Sequence, residues 1–308
     1  MAHKLTASYQ DRYRDRQFYD RGFRRNMDDK LDLHKEICNP MSSAAACINV
    51  IGGISSDKAD LIAFLNHFGL GVEDIISFQR GATYGRRTYN DQGNAVFEWV
   101  GPLMSPIFEV GGSRGHLRTS VDAYILAVIG GIVTQLLVEW KFTESYDTPR
   151  QLQRFAGVAG NERLRRYSSC LARLRKVKAL PFNMAYEGGM GLYDLGYEPL
   201  FQLLRFTLLA KLTTPFKFDD GLAVNDYRVV HLSHSKNEAL NTLSKTHVSC
   251  SPGLKNCDGR LMCEVWKHRI LTQDEAMKFR HGYWDEALGV ISDSGLKRYL
   301  LERYGDGE

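Results

Sequence analysis

One passage constrains this chain more than any other: SVDAYILAVIGGIVTQLLVEWK, over Ser120–Lys141. The sixteen residues from Ala123 to Val138 carry no charge, and they are broken by the pair Gly130-Gly131. The two arms are rich in Val, Ile, Leu and Tyr, which suit strands, and a Gly-Gly pair supplies the positive φ angles that a two-residue turn needs. A membrane-spanning helix is the competing reading. It requires about 20 apolar residues, and here the run is shorter, broken by glycines and interrupted by Gln135. The passage predicts a β-hairpin.

With the glycines at the turn, Ile129 faces Ile132, and the pairing carries Asp122 to a place opposite Glu139. Directly opposed side chains leave the same face of a sheet with their Cβ atoms about 5 Å apart. The period of two then returns Lys141 to that face and turns Trp140 to the other. Two carboxylates and an ammonium converge at the open end of an otherwise apolar hairpin. Such a group is either a strand-end ion pair in solvent or the donor set for a divalent cation, because charge buried without a partner is unfavourable.

Asp122 followed by Glu139-Trp140-Lys141 across a hydrophobic hairpin resembles the D…ExK signature of the PD-(D/E)XK nuclease superfamily. The likeness extends to an ordered set of blocks: SSAAACINVIGGI (42–54), VFEWVGP (96–102), TSVDA (119–123), VEWKFTESY (138–146) and YEPLFQLLRFTLLA (197–210). Together they resemble one restriction-endonuclease-like family within that superfamily, over about residues 38–280. D…ExK alone recurs by chance; the ordered blocks are more specific.

The resemblance implies an α/β (α+β) fold with a restriction-endonuclease-like core, a central mixed β-sheet flanked by helices. It implies a single nuclease-like domain over 38–308 ending in helices, while the Arg, Asp and Tyr of the first residues, with few aliphatics among them, read as an extension over 1–37. It further implies a metal-dependent endodeoxyribonuclease of restriction or defence type. Asp122, Glu139 and the Trp140 carbonyl would hold Mg²⁺, with Mn²⁺ able to substitute, and Lys141 would act on the attacking water or on the developing charge. DNA is the implied partner, and a homodimer would let both strands be cut. Two alternatives stay open: a DNA-binding protein of this fold without cleavage, and a nuclease for RNA or branched DNA. The chain departs from the superfamily pattern in having Val121 where a proline often precedes the aspartate. It also lacks an acid within Ser42–Asn49, a role that Glu98 could take up unless it is simply a strand-end charge.

Charge distribution bears on the same question. The whole chain carries +4, yet Arg150–Lys178 holds nine basic residues against the single acid Glu162. Arg163 and Arg166 fall within this segment, directly after the hairpin, where a phosphate-tracking surface belongs; a solvated helix face is the other reading. The loop before the hairpin, with Gly111, Gly112, Arg114, Gly115, His116 and Arg118, either approaches DNA or is a plain surface connection.

The remaining stretches follow from local pattern. Ser42 or Ser43 caps a small apolar helix over 41–50, and Asp57 precedes an amphipathic helix with Leu61, Leu65 and Phe68 on one face, closed by Gly69 or Gly71. PLFQLLRFTLLAK (199–211) is a buried helix whose polar exceptions, Gln202 and Arg205, either orient a phosphate or a carboxylate or serve as internal hydrogen-bond anchors. YRVVHLSH (227–234) reads as the last core strand, and EVWKHRIL and LKRYLLERY as helices packed on the surface. Hydrophobic content of 44% and charged content of 25% are those of a soluble globular protein, and with no apolar leader in MAHKLTASYQDRYRDRQ the expected location is cytoplasmic. Cys250, Cys257 and Cys263, flanked by His247 and His268, either bind a metal or stay unligated; the absence of a C-x-x-C pair favours the latter.

Overall fold

The computed structural model describes residues 41–78, 83–84, 87–88, 93–101, 105–109, 118–146, 153–184, 190–249 and 251–305. The 1–37 extension and Arg114 lie outside them. The hairpin organises the rest. Its arms are β3 (Val121–Ile129) and β4 (Ile132–Trp140), paired antiparallel from Ala123↔Val138 to Ile129↔Ile132. Gly130 and Gly131 have φ angles of 58° and 72°, the double positive turn that only glycine adopts without strain.

Two short strands share the outer edge of β3. β1 (Val72–Ile75) pairs antiparallel with its turn half, and β2 (Val96–Trp99) with its open half. On the other side, β4 pairs parallel with β5 (Asp226–Ser233), which pairs parallel with β6 (Phe279–Tyr283). The result is a six-stranded mixed sheet flanked by helices, the architecture of a restriction-endonuclease-like core.

Strand β5 is therefore not the last of the sheet. β6, with sequence FRHGY, has neither alternation nor an aliphatic run. Its Gly282 is required by packing, since a Cβ there would overlap the Phe68 ring. β1 is equally plain in sequence, and it earns its place through Glu73, whose carboxylate accepts the N–H groups of Gly130 and Gly131 at 3.0 Å each.

Alternation along the hairpin divides two hydrophobic cores. Ala123, Ile125, Val138 and Trp140 face one of them, which is closed by α1 (Ser43–Cys47), α2 (Lys58–His67) and α5 (Ser294–Tyr304). The Ser42 hydroxyl accepts the Ala45 N–H at 3.2 Å and caps α1, and the chain runs on through a π-helical turn to Gly52. Tyr124, Leu126 and Leu137 face the other core, with α3 (Gly157–Lys176) and α4 (Leu200–Leu212). In α3, Tyr167, Cys170, Leu171 and Leu174 form a buried stripe at helical spacing, with Arg166 buried beside it and Arg165, Arg173 and Arg175 exposed. α4 is buried almost all round. Gln135 ties β4 to its end, donating to the hydroxyls of Thr213 at 2.9 Å and Thr214 at 2.6 Å.

EVWKHRIL also differs from its expected place on the surface. It is a helical turn followed by a π-turn, with Val265, Trp266, Ile270 and Leu271 buried in the core, Glu264, His268 and Arg269 facing outward and Lys267 partly exposed.

Candidate active site

The open end of the hairpin holds the three charged residues on one face. Asp122 stands one residue beyond the Ala123↔Val138 pair, and its Oδ2 accepts the Trp140 N–H at 2.8 Å. Glu139 lies on the same face, buried. Lys141 leaves the end of β4 with its own N–H bonded to the Leu232 carbonyl at 2.8 Å, and its Nζ sits 2.6 Å from Glu139 Oε1 and 3.8 Å from Glu144 Oε1. Trp140 points the other way and stacks on Trp284, with ring centroids 4.8 Å apart. Its carbonyl accepts the Ser43 hydroxyl at 2.8 Å. The chain after Lys141 is pinned by Asn237, whose Nδ2 donates to the carbonyls of Phe142 and Glu144, both at 2.9 Å.

This arrangement is short of positive charge. Burial, then the charge of Glu139, push the Asp122 carboxyl up to about 8, against the opposing pull of Lys141 and the Trp140 N–H. Burial raises Glu139 as well, although Lys141 partly offsets it. Burial alone would pull the Lys141 ammonium down, but Glu139, Tyr146, Glu144 and Asp122 outweigh it and hold it well above the usual lysine range. The buried Glu139 pairs with the one ammonium, and the half-buried Asp122 lies beside that pair. Among the described residues no group of three His, Cys, Asp or Glu side chains is placed to hold a metal ion.

The other expected residues are placed as follows. The pairing of β2 puts Phe97 beside Ala123 and Trp99 beside Val121, so Glu98 lies next to Asp122. Glu98 is buried, has a φ of 54°, and accepts the Ser120 hydroxyl. Arg118, Arg163, Arg166 and Gln202 all line one cavity beside the site. Arg205 anchors this region by donating to Thr119 Oγ1 at 2.9 Å and to the Arg118 carbonyl at 3.0 Å. Cys257 and Cys263 are buried thiols, and Cys257 Sγ takes a hydrogen bond from Arg269 at 3.0 Å; Cys250 is outside the described residues. His268 pairs with Glu264 at 3.1 Å.

Two groups near the site went unremarked in the sequence. Glu198, just before α4, is buried, gives Oε1 to Arg154 Nε at 2.8 Å, and has no partner for Oε2 among the described residues. Its signal was an acid at the mouth of a buried helix. His231 of β5 is in register with Glu139, which only the strand pairing reveals.

His231 and His281 face each other across β5 and β6 with Nδ1 atoms 3.1 Å apart. Burial, then the neighbouring His281 and Lys141, hold His231 well below the usual range, and burial pulls His281 down to about 4. Both are neutral when folded and protonate below about 6.5 when unfolded. The pair therefore withdraws stability as pH falls from about 6.5 towards 4, by about 1.4 kcal/mol per pH unit for each histidine. Asp122 and Glu139, with raised values, act in the opposite sense. Urea melts of wild type and His281→Asn at pH 7, 6 and 5 isolate the effect: the stability of the variant is expected to fall less steeply with acid.

A family model described as Restriction Endonuclease associating with ARP matches residues 7–305. The chain belongs to this family. The match takes in the whole sheet, both cores and the three converging side chains, and reaches beyond the blocks read from the sequence at both ends. Membership in a restriction-endonuclease family assigns the chain a nuclease role. No curated protein and no solved structure matches it. Among the described residues no helix is long and apolar enough to cross a membrane.

Proposed function

We propose that this chain is a Mg²⁺-dependent endodeoxyribonuclease of PD-(D/E)XK type, serving restriction or defence in the cytoplasm and cutting duplex DNA as a homodimer. The observation that carries the reading is the convergence of Asp122, Glu139 and Lys141 at the open end of one hairpin, where the half-buried Asp122 and the buried Glu139 lie beside a single buried ammonium. The donor set fits a hard cation. Its oxygens are carboxylates whose raised proton affinity marks a deficit of positive charge, and Glu198 adds a buried, unpartnered oxygen nearby.

Asp122, Glu139 and the Trp140 carbonyl would hold Mg²⁺ or Mn²⁺. When bound, the cation polarises a phosphate oxygen and acidifies a water. Glu139 orients Lys141 through the 2.6 Å contact. Lys141, paired with Glu139, would position the attacking water or help to deprotonate it, or stabilise charge on the phosphate.

Supercoiled plasmid is expected to be nicked and then linearised with Mg²⁺ or Mn²⁺ and left intact in EDTA, with Lys141→Ala slowed by at least about 10²-fold. Folded protein that leaves plasmid supercoiled with either ion sinks the proposal. Cleavage confined to RNA or to forked substrates would move it to a different substrate.

A further inference from the structure

Beside the candidate site, between α3, α4 and the segment entering β3, lies a cavity of about 230 Å³. Five guanidinium groups line it, from Arg118, Arg154, Arg163, Arg166 and Arg205, against two carboxylates, Glu109 and Glu198. Glu109 is engaged through both of its oxygens, Glu198 through one. Glu109 accepts the Thr119 N–H, the Thr119 hydroxyl at 2.8 Å and the Tyr167 hydroxyl at 3.1 Å, and it stands 3.7 Å from Arg205 Nε. Glu198 holds Arg154.

The excess charge falls on α3. Arg166 is buried and reaches Glu162 only at 3.8 Å. Arg163 donates to the Arg154 carbonyl at 3.0 Å and has no carboxylate within ion-pair distance among the described residues. Burial, then the charges of Arg154, Arg205 and Arg166, pull the Arg163 guanidinium below its usual range, the sign of cations crowded together without enough anions. Buried like charges of this kind are unfavourable until an anion joins them. A planar guanidinium presents a fork of N–H donors that matches two oxygens of a phosphate. The volume is below the roughly 300–1,000 Å³ of pockets that enclose whole small molecules, and so suits a phosphate group rather than a complete nucleotide.

The cavity also lies within electrostatic reach of Glu139. Glu198 contributes to the raised proton affinity of Glu139, and Glu139 in turn acts on Arg205. We propose that this cavity seats one backbone phosphate of the DNA, and that holding it there brings an adjacent phosphodiester to Asp122, Glu139 and Lys141. The proposal rests on the nuclease reading above for what happens to that neighbour, but the binding it describes requires no metal.

The test is binding of a labelled duplex in EDTA across a salt series, with wild type, Arg163→Gln and Arg163→Lys, each first shown to melt like wild type. Losing one phosphate contact is expected to weaken binding by Arg163→Gln about tenfold at 0.1 M salt and to lower the slope of log K against log salt by about 0.9. Arg163→Lys should restore the slope but not the full affinity, because an ammonium keeps the charge and loses the fork. Wild-type affinity and slope in Arg163→Gln overturn the proposal. So does a melting temperature raised by inorganic phosphate in wild type and not in Arg163→Gln, with duplex binding unaffected, since the cavity would then take the free anion. The two readings fail separately. Wild type that binds duplex but never cuts it, with binding lost in Arg163→Gln, removes the nuclease and keeps the phosphate seat; Arg163→Gln that cuts with wild-type kcat and KM removes the seat and keeps the nuclease.

Discussion

Asp122→Asn is expected to abolish metal-dependent cleavage, by at least about 10³-fold or about 4 kcal/mol of activation free energy, while making the metal-free protein more stable. The two effects have one cause. Asp122 and Glu139 lie on the same face of the hairpin with the one ammonium paired to Glu139; burial raises both carboxyls, helped at Asp122 by the charge of Glu139 and at Glu139 by those of Glu198 and Glu144. An acid whose folded value is raised opposes folding once it ionises: at about 8 against an unfolded value near 4, Asp122 withdraws stability as pH rises through that window. An asparagine keeps an oxygen for the Trp140 N–H, now met at 2.8 Å, and cannot ionise. In EDTA at neutral pH the variant should therefore melt a few degrees higher, on the order of 1–2 kcal/mol, and added Mg²⁺ should raise the melting temperature of wild type far more than that of the variant. Wild-type cleavage by Asp122→Asn removes the aspartate from the site. Lost cleavage together with a lowered melting temperature points instead to a damaged fold.

How much of this could be read from the residues depends on whether the information is local. The hairpin was legible because two glycines fix a turn and a turn fixes a register, which carries Asp122 to Glu139 without knowledge of any other strand. The helix after Asp57 and the buried helix after Pro199 were legible for the same reason: one has its cap and its apolar face, the other its starting proline and its apolar circumference, within a single stretch. β1 and β6 were not. Their sequences, VEDI and FRHGY, show no strand period, and they are strands because of what they meet: Glu73 closes the hairpin turn, and Gly282 gives room to Phe68. The arginine cavity lies between these cases. The basic character of Arg150–Lys178 was visible, but not that α3 would aim Arg163 and Arg166 at a space shared with Arg118 and Arg205, or that Glu109 and Glu198 would already be engaged there. His231 belongs with the non-local features, since parallel pairing of β4 and β5 is what sets it beside Glu139.

Trp284→Ala is expected to have the largest effect on stability, and its milder counterpart tests how Lys141 is held. Trp284 is fully buried and stacks on Trp140, and it meets Phe142, His234 and Tyr304 edge-on at 5.1–5.5 Å. Its Nε1 donates to the Lys141 carbonyl at 2.9 Å. Truncation leaves a large cavity between β4 and α5 and strips that carbonyl of its donor, a loss of about 3–5 kcal/mol and about 10 °C in melting temperature. Trp284→Phe keeps a ring against Trp140 and loses only the hydrogen bond, a change of about 1 kcal/mol that leaves the protein folded. The backbone of Lys141 is otherwise held by its N–H on the Leu232 carbonyl, so without the indole its peptide is fixed on one side only. A shift of about 1 Å at such a group can slow a reaction by about 10²-fold. Trp284→Phe should accordingly bind duplex as wild type does in EDTA and cut it more slowly with Mg²⁺. If it cuts at the wild-type rate, the amine is positioned by Glu139 and Glu144 alone, and the aromatic stack behind the sheet serves stability without setting the site.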